Sequence, residues 1–137
     1  MQTYKTKAKK LAGTEFREVH KKTFHIYQEI KRKSKRRPYI RSIYFKKDKI
    51  FLGLFWQHLY EKHYTDQVRR MKFFPCALEL IKFTRYNPES KENPNKRSEI
   101  LHRFAGITDK NERFFVQIKE DKRTGEKFLI SAFPSGK

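Results

Sequence analysis

The sequence predicts an α+β domain, with N-terminal helices packed on a C-terminal three- to four-stranded antiparallel sheet. Three observations predict it. Apolar residues recur at spacings of three and four between Thr14 and Ser34. The last third holds three β-prone runs, Glu99–Gly106, Arg113–Lys119 and Glu126–Pro134. A short connection containing Gly125 joins the last two as a hairpin. Helices first and strands last is the order that stacks helices on one face of an antiparallel sheet.

Taken in order, residues 1–13 read as a flexible basic tail, because Met1–Lys10 is rich in Lys and poor in apolar side chains. Thr14 is then a plausible N-cap for an amphipathic helix whose stripe is Phe16, Val19, Thr23, Phe24, Tyr27 and Ile30. The basic run Lys31–Arg37 suits a helix C-terminus, and Pro38 ends it. Tyr39–Phe45 is short and β-prone. Asp48 can cap a second helix, Lys49 to Lys62, with Phe51, Leu52, Phe55, Trp56, Leu59 and Tyr60 around most of its circumference. Two further helices are expected over Thr65–Lys72 and Pro75–Thr84, the latter with Pro in its first turn. Residues 14–84 form the helical part. Residues 85–98, with two Pro and many polar side chains, read as a loop, and 99–134 as the sheet. The 137 residues make one domain with a real core.

Turn chemistry sets a register for the last two strands. If Gly125 is left-handed after a type I turn, Lys122 pairs with Glu126 and Ile118 with Ile130. Phe114, Val116, Ile118, Phe128, Ile130 and Ala132 then share an apolar face. Phe115, Gln117, Lys119, Lys127, Leu129 and Ser131 share the opposite, half-polar one. That second face is either a solvated exterior or a binding surface, since antiparallel sheets commonly show one face to water.

Charge narrows the partner classes. Lys and Arg number 34 against 15 Asp and Glu, for a net charge of +19. The first 47 residues hold 16 basic and 3 acidic side chains, so most of the excess sits at the front. Such a field attracts polyanions in a salt-dependent way without choosing among them. One cysteine, Cys76, excludes an internal disulfide, and its apolar surroundings predict a buried free thiol. The longest apolar run, Ile50–Trp56, is far short of the roughly 18 residues a membrane span needs, so no membrane association is expected. The N-terminus has no apolar leader segment, and a cytoplasmic site is the default expectation.

The motifs that carry common chemistries are missing. The five His are not spaced with Cys or carboxylates as zinc sites require, so no metal is expected. Only five Gly are present, with no phosphate-cradling loop and no Gly-flanked Ser, and no cofactor is expected. Metal-independent cleavage of RNA remains open, because RNA carries its own nucleophile in the 2′-hydroxyl. His can move the proton, Lys and Arg can stabilise the phosphorane, and Ser and Gln can orient its oxygens. His102, Arg103, Gln117, Lys119 and Ser131 contain such a set. The same residues also suit a strand end and a structural His.

The runs Ile100–Thr108, Phe115–Lys119 and Phe128–Pro134 resemble the phage-associated nuclease domains of the barnase–EndoU–colicin–RelE-like superfamily. Those domains tend to carry a His on the first strand, a basic residue on the second and a small hydroxyl residue on the third. The resemblance covers residues 97–134. It implies a toxin-like endoribonuclease with His102 as acid or base, Lys119 as phosphate stabiliser and Ser131 as orienting group. Arg103, Gln117, Arg123 and Lys127 would bind substrate. It further implies an RNA partner, such as tRNA or mRNA, and an antitoxin protein. The alternative is a non-catalytic RNA- or DNA-binding module of a mobile element or phage.

Overall fold

A computed structural model describes residues 1–135. Among these residues seven strands and four helices follow in the order β1 (Thr3–Lys5), α1 (Phe16–Lys33), β2 (Tyr39–Ser42), β3 (Asp48–Phe51), α2 (Gly53–Tyr60), α3 (Tyr64–Lys72), α4 (Phe74–Phe83), β4 (Glu89–Asn93), β5 (Lys96–Ile107), β6 (Arg113–Asp121) and β7 (Lys127–Pro134). The strands form one mixed sheet in the order β1-β5-β6-β7-β3-β2, with β4 also paired to β5. It curls into a half-barrel. This corrects the expected small antiparallel sheet behind N-terminal helices. Strands from the front of the chain take both edges, and β1 and β3 run parallel to their partners β5 and β7. Parallel pairs need long crossovers, and the helical segments supply them.

Three segments depart from the sequence expectation for identifiable reasons. The basic tail is docked: β1 pairs with Ala105–Ile107, and the Glu79 carboxylate of α4 accepts from Tyr4 Oη (2.7 Å), Lys7 N (2.9 Å) and Ala8 N (2.7 Å). Burial alone would raise the Glu79 carboxyl, but these donors outweigh it and hold the group below the usual carboxylate range. Burial and Glu79 together push the Tyr4 hydroxyl up to about 12. The second expected helix is divided. Asp48–Phe51 is strand, antiparallel to β2, and the helix begins only at Gly53. Asp48 caps nothing; it accepts a hydrogen bond from Lys127 Nζ at 2.9 Å. The expected loop 85–98 contains β4, which turns through Pro94 and Asn95 into β5 and has four of its five residues exposed.

α1, α3 and α4 stand close to expectation, although Glu15 rather than Thr14 precedes α1, and it caps without a side-chain bond. The helices cover one face of the sheet, here called inner. Phe114, Val116, Ile118, Leu129 and Ala132 are fully buried against Phe73, Phe74, Leu80 and Phe55. Cys76 is buried there too, and burial pushes its thiol up to about 11, which suits an inert group. Gly106 is required by this packing. A Cβ there would lie 2.4 Å from Phe114 Cζ and 2.9 Å from Leu80 Cδ1. Gly106→Ala is expected to lower the unfolding free energy by about 1–3 kcal/mol through overpacking. A urea midpoint equal to the parent's would show that Phe114 has room to move.

Candidate functional site

The β6–β7 hairpin decides which side chains share a face. Gly125 is left-handed (φ 78°), as the turn chemistry predicts. The loop is one residue longer than expected, because Asp121 rather than Lys122 pairs with Glu126. Glu120 thus faces Lys127, Lys119 faces Phe128, and Ile118 faces Leu129 instead of Ile130. A bulge on β7 at Ile130 absorbs the extra residue and restores Gln117 to Ser131 and Val116 to Ala132. The correction is local. Lys127 and Leu129 turn inward, Phe128 turns outward, the bulged Ile130 joins Gln117 and Ser131 rather than the inner core, and the other parities hold.

The outer face therefore presents a cross-strand row, Arg103–Gln117–Ser131, in direct register across β5, β6 and β7. One row over lie Leu101 and Lys119. Gln117, Lys119 and Ser131 line a groove that encloses about 410 Å³, within the range of small-ligand sites. His58 in the last turn of α2, Lys62 just beyond that helix and Arg70 from α3 line it as well. Asn93, Glu99 and Leu101 complete the lining with Ile130 and Phe133. The helical contributors reach this face because α2 and α3 pack against β7. Sequence reading missed His58, Lys62 and Arg70, which the packing of α2 and α3 on β7 brings to the groove.

The groove's charges are held in place. Arg70 Nε donates to Asp66 Oδ2 at 2.9 Å, and its guanidinium lies over the Phe133 ring at 5.1 Å. Lys119 Nζ sits 3.5 Å from Glu99 Oε2 and 5.4 Å from the Phe128 centroid. Glu99 is nearly buried and also accepts from Asn93 Nδ2 at 3.1 Å. Burial would raise its carboxyl, but Asn93, Lys119 and Lys96 together hold it below the usual range. A lowered folded-state pKa means that the stabilisation is complete above the ordinary carboxylate value of about 4.3 and is lost as pH falls through the lower folded value. The stability gap between the parent and Glu99→Gln should accordingly be constant above about pH 5 and shrink toward pH 3. Thermal melts across that range that keep a constant gap would remove Glu99 from this role.

His102 is elsewhere. It pairs with Ile118, points inward, and is 8% exposed. Its Nε2 donates to Glu120 Oε1 at 2.8 Å, and its Nδ1 lies 2.6 Å from Ser90 Oγ. Glu120 Oε2 is 3.9 Å from Lys127 Nζ, and Phe45 packs on both the imidazole and the ammonium. Lys127 is thus a buried ion-pair partner of Asp48, not a surface contact. The expected set of His102, Lys119 and Ser131 is divided: Lys119 and Ser131 share the groove, and the sheet lies between them and His102. Arg103 and Gln117 are on the groove side. Arg123 is at the hairpin tip, three-quarters exposed beside its own Asp121, and does not line the groove.

Among the described residues no group of three or more His, Cys, Asp or Glu is placed to hold a metal ion, and no helix is long and apolar enough to cross a membrane. Comparisons with protein-family models, with curated proteins and with solved structures find no match.

Proposed function

We propose that this protein is an endoribonuclease whose outer-face groove binds RNA and cleaves it through its own 2′-hydroxyl. The observation that carries the reading is the composition of one groove: an imidazole (His58), three cations (Lys62, Arg70, Lys119) against one carboxylate (Glu99), and three neutral hydrogen-bonding side chains (Asn93, Gln117, Ser131). Lys119 and Arg70 are suited to the phosphate charge, which grows in the transition state. Ser131 and Gln117 are suited to its oxygens. His58 takes the place the sequence reading gave to His102. The imidazole accepts the 2′-hydroxyl proton as O2′ bonds to phosphorus. The P–O5′ bond breaks, and the departing oxygen is protonated by the imidazolium or by water. The products are a 2′,3′-cyclic phosphate and a 5′-hydroxyl. The net charge of +19 supplies long-range attraction to the substrate.

A non-catalytic single-strand-binding module is the second reading. It is favoured by the position of His102, which leaves one imidazole on this face for two proton transfers. Incubating the protein with total RNA in EDTA separates the two. Fragments ending in cyclic phosphate support cleavage; intact RNA at protein excess rejects it.

A further inference from the structure

Beside the groove the outer face carries an aromatic platform. Phe115 and Phe133 are direct cross-strand partners on β6 and β7, both half-buried, with ring centroids 5.7 Å apart. Two guanidinium groups lie over them. Arg103 is 5.3 Å from the Phe115 centroid and 5.6 Å from that of Phe133, while Arg70 is 5.1 Å from Phe133. Arg103 is itself exposed. Two residues along the strand, about 7 Å away, comes the Gln117–Ser131 pair of the groove. Phe133 and Arg70 line the groove too, so platform and groove are continuous.

We infer that this platform is a base-stacking subsite and that the groove therefore takes single-stranded RNA, with a base next to the bound phosphate lying on Phe115, Phe133 and the Arg103 guanidinium. The inference rests on the groove being the RNA site. Aromatic rings and guanidinium planes on an open sheet face are the surfaces on which splayed bases stack. A duplex keeps its bases stacked on each other and offers this face only its backbone. Lysines alone would bind either form. The guanidinium charges can meet the phosphates of either form, whereas the rings add nothing to duplex binding and contribute directly to binding an unpaired base. The geometry sets no hydrogen-bond pattern on a base edge, so the subsite accepts any base.

The test is a fluorescence titration with an RNA oligonucleotide that carries 2-aminopurine and is 2′-O-methylated at every position, so that it cannot be cleaved. The same sequence closed into a duplex is the comparison. The expected result is that the parent quenches 2-aminopurine and binds the single strand at least tenfold more tightly than the duplex. Phe115→Leu and Phe133→Leu, which keep apolar volume, should lose the quench and bind roughly 5- to 150-fold more weakly. Arg103→Gln, at an exposed position, should weaken binding in the same direction and guards against misfolding of the leucine variants. Equal affinity for duplex and single strand, or leucine variants that bind and quench like the parent, overturns the inference. Failure of the cleavage reading is distinct: the parent would leave ordinary RNA intact while the quench and its loss in the variants persist.

Discussion

His58→Ala is expected to lower the single-turnover rate of RNA cleavage by about 10²–10⁴-fold, the usual contribution of a general acid–base group. His58 is the one imidazole lining the groove, and its side chain is 39% exposed, with Glu61 Oε1 at 3.9 Å from Nδ1. An open imidazole of this kind can meet a substrate hydroxyl. His102→Ala should behave differently. It removes the partner of both Glu120 and Ser90, so the loss falls on stability. Leaving a buried polar group unpaired costs about 1–3 kcal/mol, and the folded fraction should cleave at the parent's rate. A folded but inactive His102→Ala, next to an active His58→Ala, would move the chemistry to the inner face and defeat the assignment.

Lys119→Gln should lower the saturated cleavage rate by about 10²–10³-fold, the loss typical of one donor aimed at developing charge. Its affinity for the uncleavable 2′-deoxy analogue should change far less. The ammonium is confined on both sides, by Glu99 Oε2 at 3.5 Å and by the Phe128 ring. A charge fixed before the reaction needs no reorganisation when the phosphorane forms. Gln keeps a donor, one atom closer to the backbone, but removes the charge. If Lys119 only held the ground-state phosphate, affinity would fall and saturated turnover would stay. Measuring both quantities on one preparation tells the two apart.

How much of this was readable in the sequence follows from which signals are local. The left-handed Gly125 turn and the row Gln117–Ser131 were legible, because turn residues and side-chain alternation are short-range. The bulge at Ile130 was not, since no residue type marks it, and it inverted Lys127, Phe128 and Leu129 together. β3 ran into α2 because Ile50, Phe51, Leu52 and Phe55 satisfy helical and strand patterns at once; only Gly53 marks the boundary. β4 has no apolar alternation at all. It exists through its pairing with β5 and through the Ser90–His102 bond, which are tertiary facts. β1 is held by Glu79, about seventy residues away in sequence. The division of the site has a similar cause. His102 and Arg103 are adjacent on β5, so they must face opposite sides. Which side meets Lys119 depended on the β5–β6 register, and the connection Thr108–Glu112 marks its left-handed position with Asn111 (φ 64°), a weaker turn signal than a glycine.

The position of β2 and β3 has a consequence for the inner network. Their connection bends through Lys46 and Lys47, both left-handed at φ 57° and 69°. Such backbone is uncommon for residues other than glycine. It carries Tyr44 and Phe45 onto Phe104 and His102. The inner face is thereby closed over His102, and the outer face is left as the side that can meet a large polyanion.

The most direct measurement of the central claim is a crystal structure of the protein with a short RNA methylated at every 2′-oxygen, which prevents cleavage. The account predicts one phosphate of that RNA within about 3 Å of Lys119 Nζ, on the side of the sheet that carries Gln117 and Ser131. A phosphate bound instead beside Ser90, His102 and Lys127 would contradict it.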